Sequence, residues 1–387
     1  MTANLVIGML GFNMKSILIL TADYGYGHRS AANAIAEALR ATHGQECTVE
    51  IINPLENPRA PAFFRENQND YDRLVREMPD LYKLGYRVSE SRLVGDLVKG
   101  TFTLALFNVL GEIIRQKQPA VIVCTYPLYQ GILSAVFASQ KHHIPMLTVV
   151  TDLETVPSLW FHPAADLCLV PTQTVYDLAI EAGLSPEKVK ITGIPIRPEL
   201  VNGNQDRRSL RQVLGWQPDL FTVLAIGSKR VEHLYDSLRV LNHSGLPLQL
   251  VVVAGGDDEL YQRFQETEWH METHCFNFVT EMGTFMRAAD CILGKAGGLT
   301  ISEALACGLP LILVDVIPGQ ETGNANHVVS GNAGALARDP IEVLESICHW
   351  LENDRRLYRQ QAQNARRLGH PHAAHDVADL AWQATSS

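Results

Sequence analysis

No run in the 387-residue chain reaches the ~18 consecutive apolar positions that a membrane-spanning helix needs, so a bilayer-crossing protein is not expected, although the chain can lie on a bilayer. Cysteine is sparse and unpaired in pattern. Seven residues lie between Cys47 and Cys348 with no C-x-x-C, and the odd total argues for reduced thiols in the core rather than a disulfide framework. Positive charge is in deficit: the formal net charge is −10, which repels nucleic acid and anionic lipid except at a local basic patch. The first thirteen residues lack a basic n-region and a small-residue cleavage site, so no signal peptide is expected, and residues 1–14 read as an N-terminal extension.

What is present is a globular composition, 46% hydrophobic and 19% charged, in a chain too long for one ordinary core. Short β-branched runs alternate with longer amphipathic stretches, the sign of parallel sheets covered by helices. One series contains SILILTA (16–22), TVEII (48–52), AVIVC (120–124), MLTVV (146–150) and LCLV (167–170). After the proline-rich ITGIPIRPEL (191–200) a second contains FTVLAI (221–226), LQLVVV (248–253), CIL (291–293) and LILV (311–314). The expectation is an α/β protein of two doubly wound domains, residues 15–198 and 199–370, facing a central cleft where a ligand sits at the strand ends. Residues 371–387 should form a helix that crosses back to the first domain.

Residues 59–111 interrupt the alternation with charged and apolar helical patterns. Phe63, Phe64, Arg65, Arg73, Tyr82 and Arg87 there suit either a membrane-facing, acceptor-binding surface or ordinary helix packing.

ILILTADYGYGHRSAANAIAEAL reads as a strand, a glycine turn and a helix opening near Ser30. It is a poor dinucleotide fingerprint, because Ser30 occupies the third glycine position of G-x-G-x-x-G and the second strand runs into Asn53 without an acidic residue. A nicotinamide cofactor is therefore rejected. His28 lies at the end of the first strand, where an imidazole with an ordinary pKa of about 6.5 suits a general base, the alternative being a capping or core histidine.

The second cluster is FVTEMGTFMRAADCILGKAGGLTISEALACGLPLILVDVIPGQETGNANHVV (278–329). Gly297 and Gly298 precede the helix LTISEALA, so bare amides and the helix dipole point into the cleft, a setting for a diphosphate. Glu303 follows in the same helix, and PGQETGN (318–324) offers Gln320, Glu321 and Asn324 on a glycine-flanked loop. With GYGHRSAANAI, TDLETVPSLWFHP and GIPIRPEL, this stretch resembles the GT-B glycosyltransferases of the monogalactosyldiacylglycerol synthase and processive diacylglycerol glucosyltransferase group, related to the enzyme that forms lipid II.

That resemblance implies an inverting hexosyltransferase that moves sugar from a UDP-sugar to a lipid hydroxyl, with diacylglycerol as the acceptor and His28 as the base. It implies donor contacts at Gly227, Ser228, Gly297, Gly298 and Thr300, a ribose contact at Glu303, and sugar contacts at Gln320, Glu321 and Asn324. Backbone near Val279 would hold the base. Gly27, Asp152 and Trp160 fall on the acceptor side, Asp152 orienting His28 or the acceptor and Trp160 stacking on sugar or lipid, unless each is a buried structural contact. The helix amides would meet the leaving group's charge, so no metal and no cofactor are expected. The implied location is cytoplasmic, peripheral on the inner face of the membrane.

The chain departs from the family pattern in three places. Pro157 stands where a second histidine is usual, Tyr126 replaces the histidine of T-H-P, and only Gly227 and Ser228 remain of a glycine-rich loop, followed by Lys229 and Arg230, which suit either the diphosphate or solvent. Two other readings are a nucleotide-sugar 2-epimerase, which leaves the 59–111 insertion unexplained, and a noncatalytic nucleotide-sugar-binding protein.

Overall fold

The computed structural model describes residues 14–23, 26–60, 106–201, 203, 205–228, 231, 233–317, 319 and 321–386. Residues 1–13, most of the 59–111 insertion with its six named aromatics and arginines, Lys229, Arg230 and Gln320 lie outside the described residues.

The first sheet contains β1 (Lys15–Leu20), β2 (Cys47–Ile52), β3 (Val121–Cys124), β4 (Met146–Val149), β5 (Leu167–Val170) and β6 (Val189–Ile191) in the order β2-β1-β3-β4-β5-β6. The second contains β7 (Phe221–Ile226), β8 (Leu248–Val253), β9 (Thr273–Phe276), β10 (Cys291–Gly294), β11 (Leu311–Leu313) and β12 (Gly334–Leu336) in the order β12-β11-β10-β7-β8-β9. Every pairing is parallel. The doubly wound α/β expectation holds in both halves.

Both faces of each sheet are covered, which is why the central strands read as continuous apolar runs. Ile17, Ile19, Val121 and Val123 enter one core, while Leu18, Leu20, Ile122 and Cys124 enter the core on the opposite face. The register Ile17↔Val121 keeps these sets aligned, and a one-residue slip would exchange them. In the second sheet Leu224, Val251 and Ile292 take one side, and Val223, Val252 and Leu293 the other. All seven cysteines are free, and burial pushes the Cys124 thiol well up.

Each sheet has one point where the strand order reverses, between β1 and β3 in the first and between β7 and β10 in the second. Loops at these points diverge and leave a crevice beyond the strand ends. Helix α1 (Tyr26–His43) leaves β1 there, and helix α2 (Gly298–Ala306) leaves β10 at the matching place in the other half. Helix α3 (Thr322–Ser330) follows β11.

The halves are joined twice. The linker after β6 passes Gly193 at φ +84°, where a Cβ would meet the His370 side chain at 2.3 Å, so glycine is required for the two crossings to lie together. The last helix, α4 (Ala373–Ala384), packs on α1, burying Ala374, Val377, Ala378 and Ala381 in the core under β1 and β3. Lys15 Nζ donates to Thr385 O at 2.7 Å and the His43 ring stacks on Trp382, fixing the end of the chain to the first domain.

Candidate active site

The first half of the site is built on α1. The helix opens at Tyr26, four residues ahead of the opening near Ser30 expected from the sequence, so His28 belongs to the first helical turn and not to a loop. Its Nδ1 lies 2.7 Å from Thr151 Oγ1, and Thr125 Oγ1 donates to its backbone oxygen at 3.1 Å. Tyr126 meets the imidazole edge-on at 5.2 Å between centroids, and Trp160 lies at 5.9 Å. Burial holds the imidazole below the ordinary histidine range, with the Asp152 carboxylate opposing the shift. A neutral ring whose Nδ1–H donates to Thr151 leaves the Nε2 lone pair, which has no hydrogen-bond partner among the described residues, to take a proton.

Asp152 and Trp160 belong to the support of that ring. Trp160 is fully buried, which agrees with the structural-contact alternative rather than with stacking on a sugar or lipid, and its indole N–H donates to Asp152 Oδ2 at 2.7 Å. Burial raises the Asp152 carboxyl above its usual range, and His28 opposes that rise. The residue that touches the imidazole is Thr151, which the sequence reading passed over in favour of its neighbour. Gly27 sits beside His28 with nothing within 4 Å of where its side chain would be. Behind the turn, Arg29 makes a two-point ion pair with Asp23 at 2.8 Å for each bond, and Asn53 donates to the same carboxylate at 3.1 Å, tying the ends of β1 and β2 to α1.

The second half gathers at α2. Gly297 is the N-cap and offers no side-chain cap, and the first helical bond is Ile301 N to Gly297 O at 3.0 Å. The N–H groups of Gly298, Leu299 and Thr300 therefore have no partner within the helix or among the described residues, and the positive end of the dipole lies with them. Glu303 lies on the same helix, with no hydrogen bond to its carboxylate among the described residues, and burial raises its pKa to about 7, opposed by Arg197. Arg197, from the linker, donates to Thr280 O at 3.3 Å, joining the interdomain segment to the loop that contains Val279. The peptide groups of Val279 itself make no backbone hydrogen bond among the described residues.

Three expected donor residues have other engagements. The Gly227 amide donates to Val253 O at 2.7 Å, and a Cβ there would meet Leu260 at 2.7 Å, so this glycine also serves strand-end packing. Ser228 is partly exposed on the loop that follows. Glu321 is buried, its Oε1 bonded to Lys295 Nζ and its Oε2 accepting from Ile317 N at 3.2 Å. Asn324 Nδ2 donates to Ala296 O at 3.0 Å, while its buried Oδ1 has no partner.

The two halves touch next to these groups. A Cβ on Gly298 would meet Leu153 Cβ at 3.4 Å, and one on Gly323 would meet Thr155 Oγ1 at 2.6 Å. Glu154 Oε1 lies 2.7 Å from His327 Nδ1 across the boundary. Thr151, which holds His28, is thus two residues from the backbone against which the α2 N-terminus rests. No group of three or more metal-ligating side chains is present among the described residues.

A base candidate at one switch point and an anion-ready helix terminus at the other form the layout of a GT-B glycosyltransferase. Solved structures agree on the fold. The UDP-GlcNAc 2-epimerase from Neisseria meningitidis bound to UDP-GlcNAc superposes with a TM-score of 0.63 at 13% identity, covering 96% of this chain and 100% of that one. MurG from Acinetobacter baumannii gives 0.59 at 16%, covering 95% and 99%. The monogalactosyldiacylglycerol synthase family model matches residues 28–196, and the glycosyltransferase family 28 C-terminal domain matches 227–379. Monogalactosyldiacylglycerol synthase 3, chloroplastic, of Arabidopsis thaliana is 30% identical over 374 residues, 94% of this chain and 80% of the relative. The synthase of Spinacia oleracea is 30% identical over 383 residues, 95% and 73%. The chain belongs to the monogalactosyldiacylglycerol synthase family of glycosyltransferases.

Proposed function

We propose that the protein transfers a hexose from a UDP-sugar to the free hydroxyl of diacylglycerol, with inversion at the anomeric carbon and His28 as the base. The observation that carries this reading is the His28 ring itself, kept neutral by burial, fixed through Nδ1 to Thr151 and unpartnered at Nε2. The acceptor oxygen forms its bond to the anomeric carbon as its proton passes to Nε2. The bond from that carbon to the diphosphate breaks on the opposite face, and UDP leaves with the electron pair. Amides of Gly298, Leu299 and Thr300 oppose the charge that develops on it. Glu303 receives the ribose hydroxyls, and the Val279 peptide holds the base.

Diacylglycerol as acceptor is supported by the similarity to monogalactosyldiacylglycerol synthases and by the match of that family model to the half that contains His28. A lipid acceptor requires peripheral contact with a membrane, and no helix among the described residues is long and apolar enough to cross one. Likeness to the 2-epimerases is likeness of fold, whereas the 30% identity to the synthases runs through both halves. The test is the stereochemistry of the product, read from the anomeric proton coupling by NMR after reaction of an α-linked UDP-hexose with diacylglycerol in mixed micelles. A β-glycoside supports the mechanism. An α-glycoside, or interconversion of UDP-sugars without transfer, overturns it.

A further inference from the structure

Lys295 stands between β10 and α2, and its Nζ contacts Glu321 Oε1. A Cβ built on Gly297 would meet that Nζ at 3.1 Å and the same carboxylate oxygen at 3.9 Å, so the pair lies against the N-cap residue of α2 and glycine at 297 leaves it room. The Glu321 side chain is 5% exposed and the Lys295 side chain 22%, so the carboxylate is sealed while the lysine stays partly accessible. An ammonium has three N–H donors. One goes to Glu321, and no other protein acceptor for Lys295 is present among the described residues. Glu321 spends its second oxygen on Ile317 N, so it is fixed at both ends. Beside Gly298, the buried Asn324 donates Nδ2 to Ala296 O at 3.0 Å, and its Oδ1, an acceptor, has no partner among the described residues and is open to a hydroxyl or water.

We propose that Lys295 is the cation of the donor site, its ammonium contacting the diphosphate in the bound donor and in the departing UDP. Glu321 is then a positioning residue that holds Lys295 over the α2 amides, in place of the sugar-reading role that family resemblance implies for it. Lys295 acts through its charge and its N–H donors and exchanges no proton with the leaving group. A fixed positive charge beside three unpaired amides opposes the growing negative charge at the point where the glycosidic bond breaks. This inference rests on the donor-site reading above and adds to it the residue that supplies the charge.

The test is isothermal titration of the full chain and its K295M, K295R and E321Q variants with UDP, UDP-galactose and uridine. One charge-assisted hydrogen-bonded contact to a phosphate corresponds to about a 10- to 100-fold change in affinity. K295M should weaken UDP by that factor and leave uridine within twofold, while K295R retains most of the UDP affinity. E321Q should weaken UDP and UDP-galactose by the same factor. The K295M/E321Q double variant, which removes both charges, covers the case in which K295M alone leaves a buried carboxylate unpaired and does not fold. Equal loss of UDP and uridine in K295M assigns Lys295 a structural role and overturns the proposal. Loss of UDP-galactose but not UDP in E321Q returns Glu321 to the sugar. Wild-type protein that binds uridine and UDP equally overturns Lys295 alone, and wild-type protein that binds neither overturns the donor-site reading together with it.

Discussion

Replacement of Thr151 by valine tests the catalytic arrangement at its least obvious point. Valine keeps the shape of a side chain that is 7% exposed and removes only the oxygen 2.7 Å from His28 Nδ1. A hydrogen bond between neutral groups is worth about 0.5–1.5 kcal/mol and one to a charged group about 1.5–3 kcal/mol. The imidazole becomes imidazolium as it takes the acceptor proton, so the bond strengthens in the transition state by about 1–1.5 kcal/mol. At about 1.4 kcal/mol per decade this predicts a fall in kcat to roughly a tenth of wild type. KM for the donor should not move, because Thr151 lies on the acceptor side. Thr151→Ser keeps the hydroxyl and should recover most of the rate. Initial rates of transfer to diacylglycerol in mixed micelles, with circular dichroism as a control on folding, measure the effect. A kcat within twofold of wild type in T151V, or an equal loss in T151S, would refute the argument.

Other outcomes follow from the same geometry. Burial raises the folded-state pKa of Glu303 from its ordinary value of 4.5 to about 7, so its ionisation costs nothing below the unfolded value and the full amount above the folded one. Glu303→Gln should then raise stability at pH 8 by up to about 3 kcal/mol in denaturant titration while weakening UDP, and this gain should vanish at pH 4. UDP affinity of the wild type should fall as pH drops through about 7, where the carboxylate becomes protonated and can no longer accept two ribose hydroxyls. Gly323→Ala places a carbon 2.6 Å from Thr155 Oγ1 and 3.0 Å from Glu154 Cβ, and prising the halves apart should cost about 1–3 kcal/mol, visible as a lower thermal midpoint. Deletion of residues 371–387 removes α4 from the core under β1 and β3 and should leave an aggregation-prone chain in size-exclusion chromatography.

The interior strands were legible because a parallel sheet covered on both faces writes itself as an unbroken apolar run, as in VIVC and LQLVVV. The strands β6 (VKI), β9 (THCF) and β12 (GAL) were not, since edge strands of three or four residues carry too little apolar pattern to stand out from loops. In the site, the glycine pair and Glu303 were legible from their spacing ahead of and within one helix. Thr151 was hidden by its neighbour, because Asp152 is the residue a reader of titratable groups selects, and the sequence does not say which of two adjacent side chains reaches the ring. The burial of Trp160 and the packing around Gly227 are matters of contact between segments apart in the chain, which no local pattern records.

The central claim is best tested by incubating wild-type protein and His28→Ala with labelled UDP-galactose or UDP-glucose and diacylglycerol micelles, then extracting the lipid. The account predicts label in the lipid with one of the two donors for the wild type, and a loss of at least about 100-fold in the variant, which still binds UDP. Label transferred equally well by His28→Ala, or no lipid label from either donor in a wild type that binds UDP, would contradict it.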